Sequence, residues 1–322
     1  MQRRTLIMGL CGAVASPLTS RAAGIPRLAV LFPGSRRVLE GPYLSNLAAG
    51  LALQGFRAGQ VEIAIHTTEG DPARNGPMVA EALAESPAAI LAIARPALLA
   101  AHAATRTVPI VAYDLETDPI AEGLAQSLTR PASNVTGVFL EFSNFAGKLI
   151  ELLIEATGKL SRLGVIWDPA TGPVQLDTVR KAAGAFRLEL DVRETSVAAD
   201  FGPAFAGAHQ SGADAIVMLT SPLIPSNAET LAELSLHHRL PVVTFFTQFP
   251  RAGGLMSYGP DFNAMYRQSG NLAGKLLRGA SVSGVPIERP AKFELIVNQR
   301  AARALGLTIP PSILARADEV IE

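Results

Sequence analysis

This sequence predicts an α/β fold of two lobes, each a parallel sheet covered by helices on both faces. Three observations predict it. Short, nearly continuous apolar runs alternate with helix-like segments, as buried parallel strands joined by helical crossovers do. The alternation runs through five strands, then starts again after residue 140. A chain of 322 residues also exceeds what one typical domain holds.

Taken in order, Arg27 to Phe32 is a strand and Tyr43 to Gln54 a helix; Val61 to His66 and Asn75 to Glu85 repeat the pair. Ala89 to Ala94 is a strand, followed by a helix from Pro96 to Thr105. Pro109 to Tyr113 is a buried strand, and an acidic loop, Asp114 to Asp118, leaves its C-terminal end. Asp118-Pro119 supplies an N-cap and a first-turn proline for a short helix, and Val135 to Leu140 closes the unit. The second lobe opens with a helix from Asn144 to Ala156. Strands Leu163 to Trp167, Glu189 to Glu194, Ala215 to Leu219, Val242 to Phe246 and Leu255 to Tyr258 follow. Between them come helices Val174 to Phe186, Pro203 to Gln210 and Asn227 to His238. Helix Phe262 to Leu277 and strand Phe293 to Val297 must join these sheets, so the chain crosses between lobes more than once and forms a multi-strand hinge. The expected division is 27–140 with about 259–282, against 141–258 with about 283–322.

Charge is balanced and nearly half the residues are apolar, which excludes a disordered chain and gives no electrostatic case for nucleic acid. Residues 1–22 read as an export signal: Arg3-Arg4, an apolar run from Leu6 to Val14, and small residues around Ser20-Arg21-Ala22. The run is too short to anchor in a bilayer, and Arg3-Arg4-Thr5-Leu6-Ile7 resembles a twin-arginine signal, with general export as the alternative. Cys11, the single cysteine, falls inside that signal, so the exported chain is expected to carry no disulfide, thiol nucleophile or thiolate metal site. The expected location is the periplasm, in soluble form.

Several segments together resemble a known family. They are Asp118-Pro119 with Leu128, Arg130-Pro131 and Asn134-Val135-Thr136-Gly137; Gly253-Gly254-Leu255-Met256-Ser257-Tyr258-Gly259; and Lys292-Phe293-Glu294-Leu295 through Asn298. The tail from Ala304 to Pro311 and Ala317 to Ile321 completes the pattern. The chain resembles extracytoplasmic substrate-binding proteins of ABC transporters, in the branch with tryptophan- and tyrosine-type members. That resemblance implies a type I periplasmic-binding fold, two Rossmann-like lobes that close on a small molecule and deliver it to a membrane permease and its ATPase. The chain departs from the family at Arg95, where a small polar residue is usual, and in the longer, more acidic loop with Asp114 and Glu116.

With strand order 2-1-3-4-5 in each lobe, the loops after the first and third strands flank a ligand cleft. In the first lobe these carry Gly34, Ser35, Arg36 and Arg37, then Arg95. Arg95 directly follows an apolar strand, beside a helix N-terminus, and is the expected partner of a ligand carboxylate. Arg36 and Arg37 read as a solvated face. Asp118 reads either as a cap or as a receiver for a ligand ammonium. Tyr113 ends its strand facing the cleft, with Thr136 and Gly137 nearby, though a strand bulge explains the glycine equally well. In the second lobe Asp168 to Gly172, with Thr171, and Thr220 to Pro222, with Ser221, read either as turns or as cleft loops. Phe246, Gln248 and Tyr258 supply an apolar wall with a polar handle.

No G-x-S-x-G elbow, phosphate loop or dinucleotide fingerprint occurs, and the adjacent His237 and His238 point different ways on a helix. An enzyme, a metal centre and a cofactor are therefore not expected. The expected function is a monomeric importer component that closes on an anionic or zwitterionic ligand, with aromatic amino acids or aromatic acids as the leading class. The alternative is a ligand sensor that presents its closed form to a membrane receptor.

Overall fold

The computed structural model describes residues 24–141 and 145–322. The export signal, Cys11 and the first residue of the helix expected from Asn144 lie outside the described residues.

The first sheet contains β1 (Arg27–Phe32), β2 (Glu62–Thr67), β3 (Ala89–Ile93), β4 (Ile110–Asp114) and β5 (Val135–Phe139). Its order is β2-β1-β3-β4-β5, all parallel. Side chains alternate across it. Leu28, Val30 and Phe32 face one core, and Ala29 and Leu31 face the other. Helices Asn75–Ala84 and Ala94–Ala104 cover the second face with Met78, Val79, Leu98 and Ala101. The first face is covered by helix Pro42–Leu53 and by a helix from much later in the chain, Phe262–Leu277.

The second sheet contains β6 (Arg162–Trp167), β7 (Glu189–Glu194), β8 (Ala215–Met218), β9 (Val242–Thr244), β10 (Met256–Pro260), β11 (Phe293–Asn298) and β12 (Glu319–Ile321). The order is β12-β11-β10-β9-β8-β6-β7. β6 to β10 run parallel, but β11 pairs antiparallel with β10 and parallel with β12. The two expected lobes with parallel sheets are present, and the pairing of β11 with β10 is the single antiparallel addition among the described strands. After Pro260 the chain leaves for helix Phe262–Leu277 on the first lobe, and β11 enters the second sheet on its return, against the direction of β10.

The chain also passes from β5 to helix Phe145–Thr157, which packs on β8 and β9 of the second sheet, so it changes lobe three times. Residues 285–289 lie along β5: Glu288 N donates to Gly137 O at 2.8 Å, Phe139 N donates to Glu288 O at 3.1 Å, and Arg289 Nη1 donates to Phe139 O at 3.1 Å. Thr136 Oγ1 donates to Val285 O at 2.8 Å. Gly137 has φ +147, and a Cβ there would overlap the Ala112 carbonyl oxygen. Thr136 and Gly137 thus hold segment 285–289 against β5.

The helix expected at Asp118-Pro119 is a turn. Asp118 Oδ1 accepts from Ile120 N at 2.9 Å and Ala121 N at 3.1 Å, as a cap does. Gly123, at φ +69, stops it after one turn.

Helices Pro42–Leu53 and Phe262–Leu277 cross closely enough that a Cβ at Gly50 would overlap Arg267 O and one at Gly270 would overlap Leu47 O. Overpacking of that kind costs about 1–3 kcal/mol. Gly270→Val is accordingly expected to lower the free energy of unfolding, read by urea titration, by that amount, whereas the same change at Gly147, where nothing lies within 4 Å, serves as the control.

Candidate functional site

The strand ends of both sheets meet between the lobes, where open α/β sheets place ligands. From the first lobe come Pro33 to Ser35 after β1, Ala94 to Pro96 after β3, and Asp114 to Thr117 after β4. From the second come Asp168 to Gly172 after β6, Thr220 to Pro222 after β8, and Phe245 to Gln248 after β9. The lobes touch. Ser35 N donates to Ser226 Oγ at 3.1 Å, and Gln248 Nε2 donates to Tyr43 Oη at 2.7 Å. A Cβ at Gly34 would stand 2.9 Å from Pro222 O, and one at Gly172 would stand 2.9 Å from the Arg95 guanidine Nε. These glycines let the loops of the two lobes approach.

Three carboxylates are buried in this seam. Asp114, fully buried at the end of β4, accepts from Glu116 N at 2.7 Å, Thr117 N at 2.7 Å and Thr117 Oγ1 at 2.9 Å. That turn folds Glu116 inward, where its Oε2 accepts from Arg95 N at 2.9 Å. Ala94 takes φ +67, a left-handed backbone that costs a non-glycine residue about 1–2 kcal/mol and turns Arg95 N toward Glu116. Asp168, from the second lobe, accepts from Ser221 Oγ at 2.7 Å and Ala170 N at 2.9 Å. Thr171 Oγ1 closes that loop by donating to Asp168 O at 2.7 Å.

None of these three acids is in an ion pair among the described residues. Burial, reinforced by the negative charge of Asp114, pushes the Glu116 carboxyl up to about 8; the Arg95 N–H opposes the shift. Burial also raises Asp114 and Asp168, against the hydrogen bonds each accepts. The Thr220 hydroxyl faces Glu116 without reaching hydrogen-bond geometry.

Aromatic rings line the first-lobe side. Tyr113 packs on Tyr266 with centroids 4.6 Å apart, and Tyr266 stacks on Tyr43 at 4.8 Å. Burial holds the Tyr113 and Tyr266 phenols well above their usual range. Phe246, from the second lobe, stacks on Phe262 at 5.4 Å and 8°. Tyr113 Oη, Thr220 Oγ1 and Gln248 Oε1 are buried without a hydrogen-bond partner. Space remains along the seam. A groove of about 590 Å³ lies between Tyr43, Arg37, Ser226, Gln248 and Arg251, and a cavity of about 150 Å³ lies between Glu116, Thr117, Leu140, Val174 and Arg289.

Of the expected site residues, the structure brings Gly34, Ser35, Arg95, Tyr113, Asp168, Thr171, Ser221 and Phe246 to the seam. Two of the others are elsewhere. Asp118 is exposed at the rim of the 150 Å³ cavity, with Oδ1 of its carboxylate capping the turn. Tyr258 packs with Phe145 and Phe293 at 6.0 and 6.4 Å on the hinge strands and is not part of the cleft wall. The Arg95 guanidinium, expected to hold a carboxylate, pairs with Glu122 at 2.7 Å. Arg36 bonds Ile65 O and faces Glu40, away from Arg95. The acidic loop was expected to form half of the cleft, with Asp114 and Glu116 placed where a ligand would be contacted but not chosen as site residues; Tyr43 and Tyr266 were missed, since neither carries a local signal. Short helices Arg36–Leu39, Leu223–Ser226 and Gln248–Arg251, which carry cleft residues, were also missed, since four residues show no periodicity.

The arrangement suits binding. No group of three side chains able to hold a metal occurs among the described residues, and the His237 and His238 rings meet edge to face at 4.8 Å on a surface helix.

Comparison with known proteins is consistent with that geometry. A family model described as ABC transporter substrate binding protein matches residues 39–321. A tyrosine-binding protein of Clostridioides difficile (strain R20291) is 25% identical over 281 residues, 85% of this chain and 80% of that protein. The solved ABC domain in complex with L-Trp from Streptococcus pneumonia is 25% identical and superposes with a TM-score of 0.83, covering 92% of this chain and 100% of that one. A leucine-binding protein from Thermotoga maritima shares the type I two-lobed fold alone, with 14% identity, a TM-score of 0.56 and 87% of each chain covered.

The Glu116 carboxyl sets a pH dependence. Between its ordinary 4.5 and about 8, the folded chain holds a proton that the unfolded chain has lost, so stability falls as pH rises through that window. Glu116→Gln removes the charge and is expected to raise the ligand-free melting temperature by about 3 °C or more at pH 8. At pH 5, where the acid is already protonated, it should change little. Calorimetric scans at both values check this, and an equal shift at each would contradict it.

Proposed function

Because the chain belongs to the ABC transporter substrate-binding protein family, we propose that it is the extracytoplasmic solute-binding component of an ABC importer. Its ligand is a small organic molecule, an aromatic amino acid or aromatic acid, held in the interlobe cleft. The family is one of binding proteins and not of enzymes. One observation supports the reading most directly: the strand-end loops of two lobes enclose a seam with stacked rings and buried, unpartnered polar atoms. Ligand sites combine an apolar lining with a few oriented polar groups in this way. That a relative is named for tyrosine and another structure holds L-Trp supports the aromatic class.

The mechanism is hinge closure. A ligand that touches both lobes gains contacts only in the closed state and shifts the population toward it. The chain's own cross-lobe contacts, Ser35 to Ser226 and Tyr43 to Gln248, add to that preference. The closed shape is what an inner-membrane permease and its ATPase would recognise, with the protein acting as a periplasmic monomer.

L-tryptophan, L-tyrosine and L-phenylalanine are the first ligands to try. A true ligand at a hundred times its dissociation constant adds about 2.7 kcal/mol of stability, read as a rise of several degrees in melting temperature. If no aromatic amino acid or aromatic acid produces a shift, the proposed ligand class is wrong. Ser226→Ala tests closure separately. Losing one neutral hydrogen bond of about 0.5–1.5 kcal/mol should weaken binding about threefold to tenfold in titration calorimetry.

A further inference from the structure

The seam gathers negative charge from both lobes. Asp114 and Glu116 come from the loop after β4 and Asp168 from the loop after β6, all at most 5% exposed. None of them is in an ion pair among the described residues; the Arg95 guanidinium, which acts on Asp114 from a distance, is held by Glu122 at 2.7 Å. The three acids differ in how well a negative charge is served. Asp114 accepts three hydrogen bonds, from Glu116 N, Thr117 N and Thr117 Oγ1, and Asp168 accepts two, from Ser221 Oγ and Ala170 N. Glu116 accepts one, from Arg95 N at 2.9 Å. Facing it from the second lobe are Asp168, a like charge, and Thr220 Oγ1, which is buried without a hydrogen-bond partner. A protonated carboxyl offers an O–H to such a hydroxyl, whereas a carboxylate offers no donor and repels its acidic neighbours. With the lobes apart, Asp168 and Thr220 withdraw and water solvates the ionised form.

We propose that the seam takes up a proton when the lobes meet: Glu116 is a carboxylate with the lobes apart and a carboxylic acid with them joined, so the chain closes more readily in acidic than in alkaline surroundings. This rests on the hinge-closure reading above and adds a regulator to it. The proton comes from solvent and returns there when the lobes part, and no other bond changes. The groups facing Glu116 are Asp114 on its own loop, the Arg95 N–H, Tyr113 on β4, Asp168 and Thr220 from the second lobe, and Asp118, Glu141 and Arg289 around the small cavity it lines. Arg289 directs Nη1 to Phe139 O, so it does not neutralise the acid. The sign follows from burial. With the lobes joined the carboxyl is pushed up to about 8, and with them apart it falls back toward its ordinary 4.5. Below that window both forms hold the proton and pH has no effect. Within it the joined form alone holds the proton, so the ratio of joined to parted lobes falls by up to about tenfold for each unit rise in pH.

The test is single-molecule energy transfer on the ligand-free exported chain carrying Glu81→Cys and Lys181→Cys, exposed positions on helices Asn75–Ala84 and Val174–Phe186 of the two lobes. No other cysteine occurs among the described residues to take a label. Between pH 5 and pH 8.5 the ratio of joined to parted molecules should fall by at least about tenfold. Glu116→Gln keeps an N–H for Thr220 and carries no charge, so its ratio should stay within about twofold over the same range. Asp168→Asn removes the like charge that the second lobe brings, and should move the midpoint of the change to higher pH. It also serves if Glu116→Gln does not fold. Two populations whose ratio ignores pH, an equal drift in the wild type and Glu116→Gln, or an unmoved midpoint in Asp168→Asn would overturn this inference and leave hinge closure standing. A single separation, unchanged at every pH, would overturn both.

Discussion

Asp114, Glu116 and Asp168 are buried together where the strand ends of the two lobes meet, and most features of the seam follow from that burial. Each acid is supplied with backbone or hydroxyl donors, but only enough to hold its geometry. The remaining charge opposes closure when the cleft holds nothing to offset it. The contacts favouring closure are modest: a hydrogen bond from Ser35 to Ser226, one from Gln248 to Tyr43, and the stacking of Phe246 on Phe262. A small opposing term therefore matters, and a molecule that cancels it has leverage over the whole conformation.

The links between the lobes are made of paired strands, so the fold of each lobe does not depend on a single connecting segment. Segment 285–289 is fixed along β5 through Thr136, Gly137, Phe139 and Arg289. β10 and β11 then lead through Pro260 and Phe293 into the second sheet as an antiparallel pair. A pair of hydrogen-bonded strands resists shear but tolerates a small bend, which suits a two-state motion better than a single flexible link.

The architecture was legible because it rests on burial patterns of the kind a sequence displays. Helices Val174–Phe186 and Phe262–Leu277 and strand Glu189–Glu194 have the bounds that their periodicity implies. The site was legible only as a set of loops. Strand order 2-1-3-4-5 pointed to the loops after β1, β3, β6 and β8, and the structure brings all four to the seam. Which side chains matter within them was harder to read. Asp118 carried the strongest local signature, an acid before proline, and that signature belonged to a turn. The loop with Asp114 and Glu116 was placed at the cleft, but nothing in its own segment shows that Asp168 and Thr220 lie close to Glu116 and bury it. Arg95 looked like a free guanidinium because Glu122, its partner, lies in a stretch expected to be helical and turned out to be a turn.

Helix Phe262–Leu277 covers the first sheet although it is encoded after four-fifths of the chain. During synthesis, β1 to β5 are made long before the element that shields Leu47, Leu51 and Val111 from water. The N-terminal lobe thus stays an unfinished, sticky intermediate until nearly the last residues emerge, and its completion is a late, long-range event. A truncation ending before residue 262 would leave an aggregation-prone stub in place of a smaller functional unit.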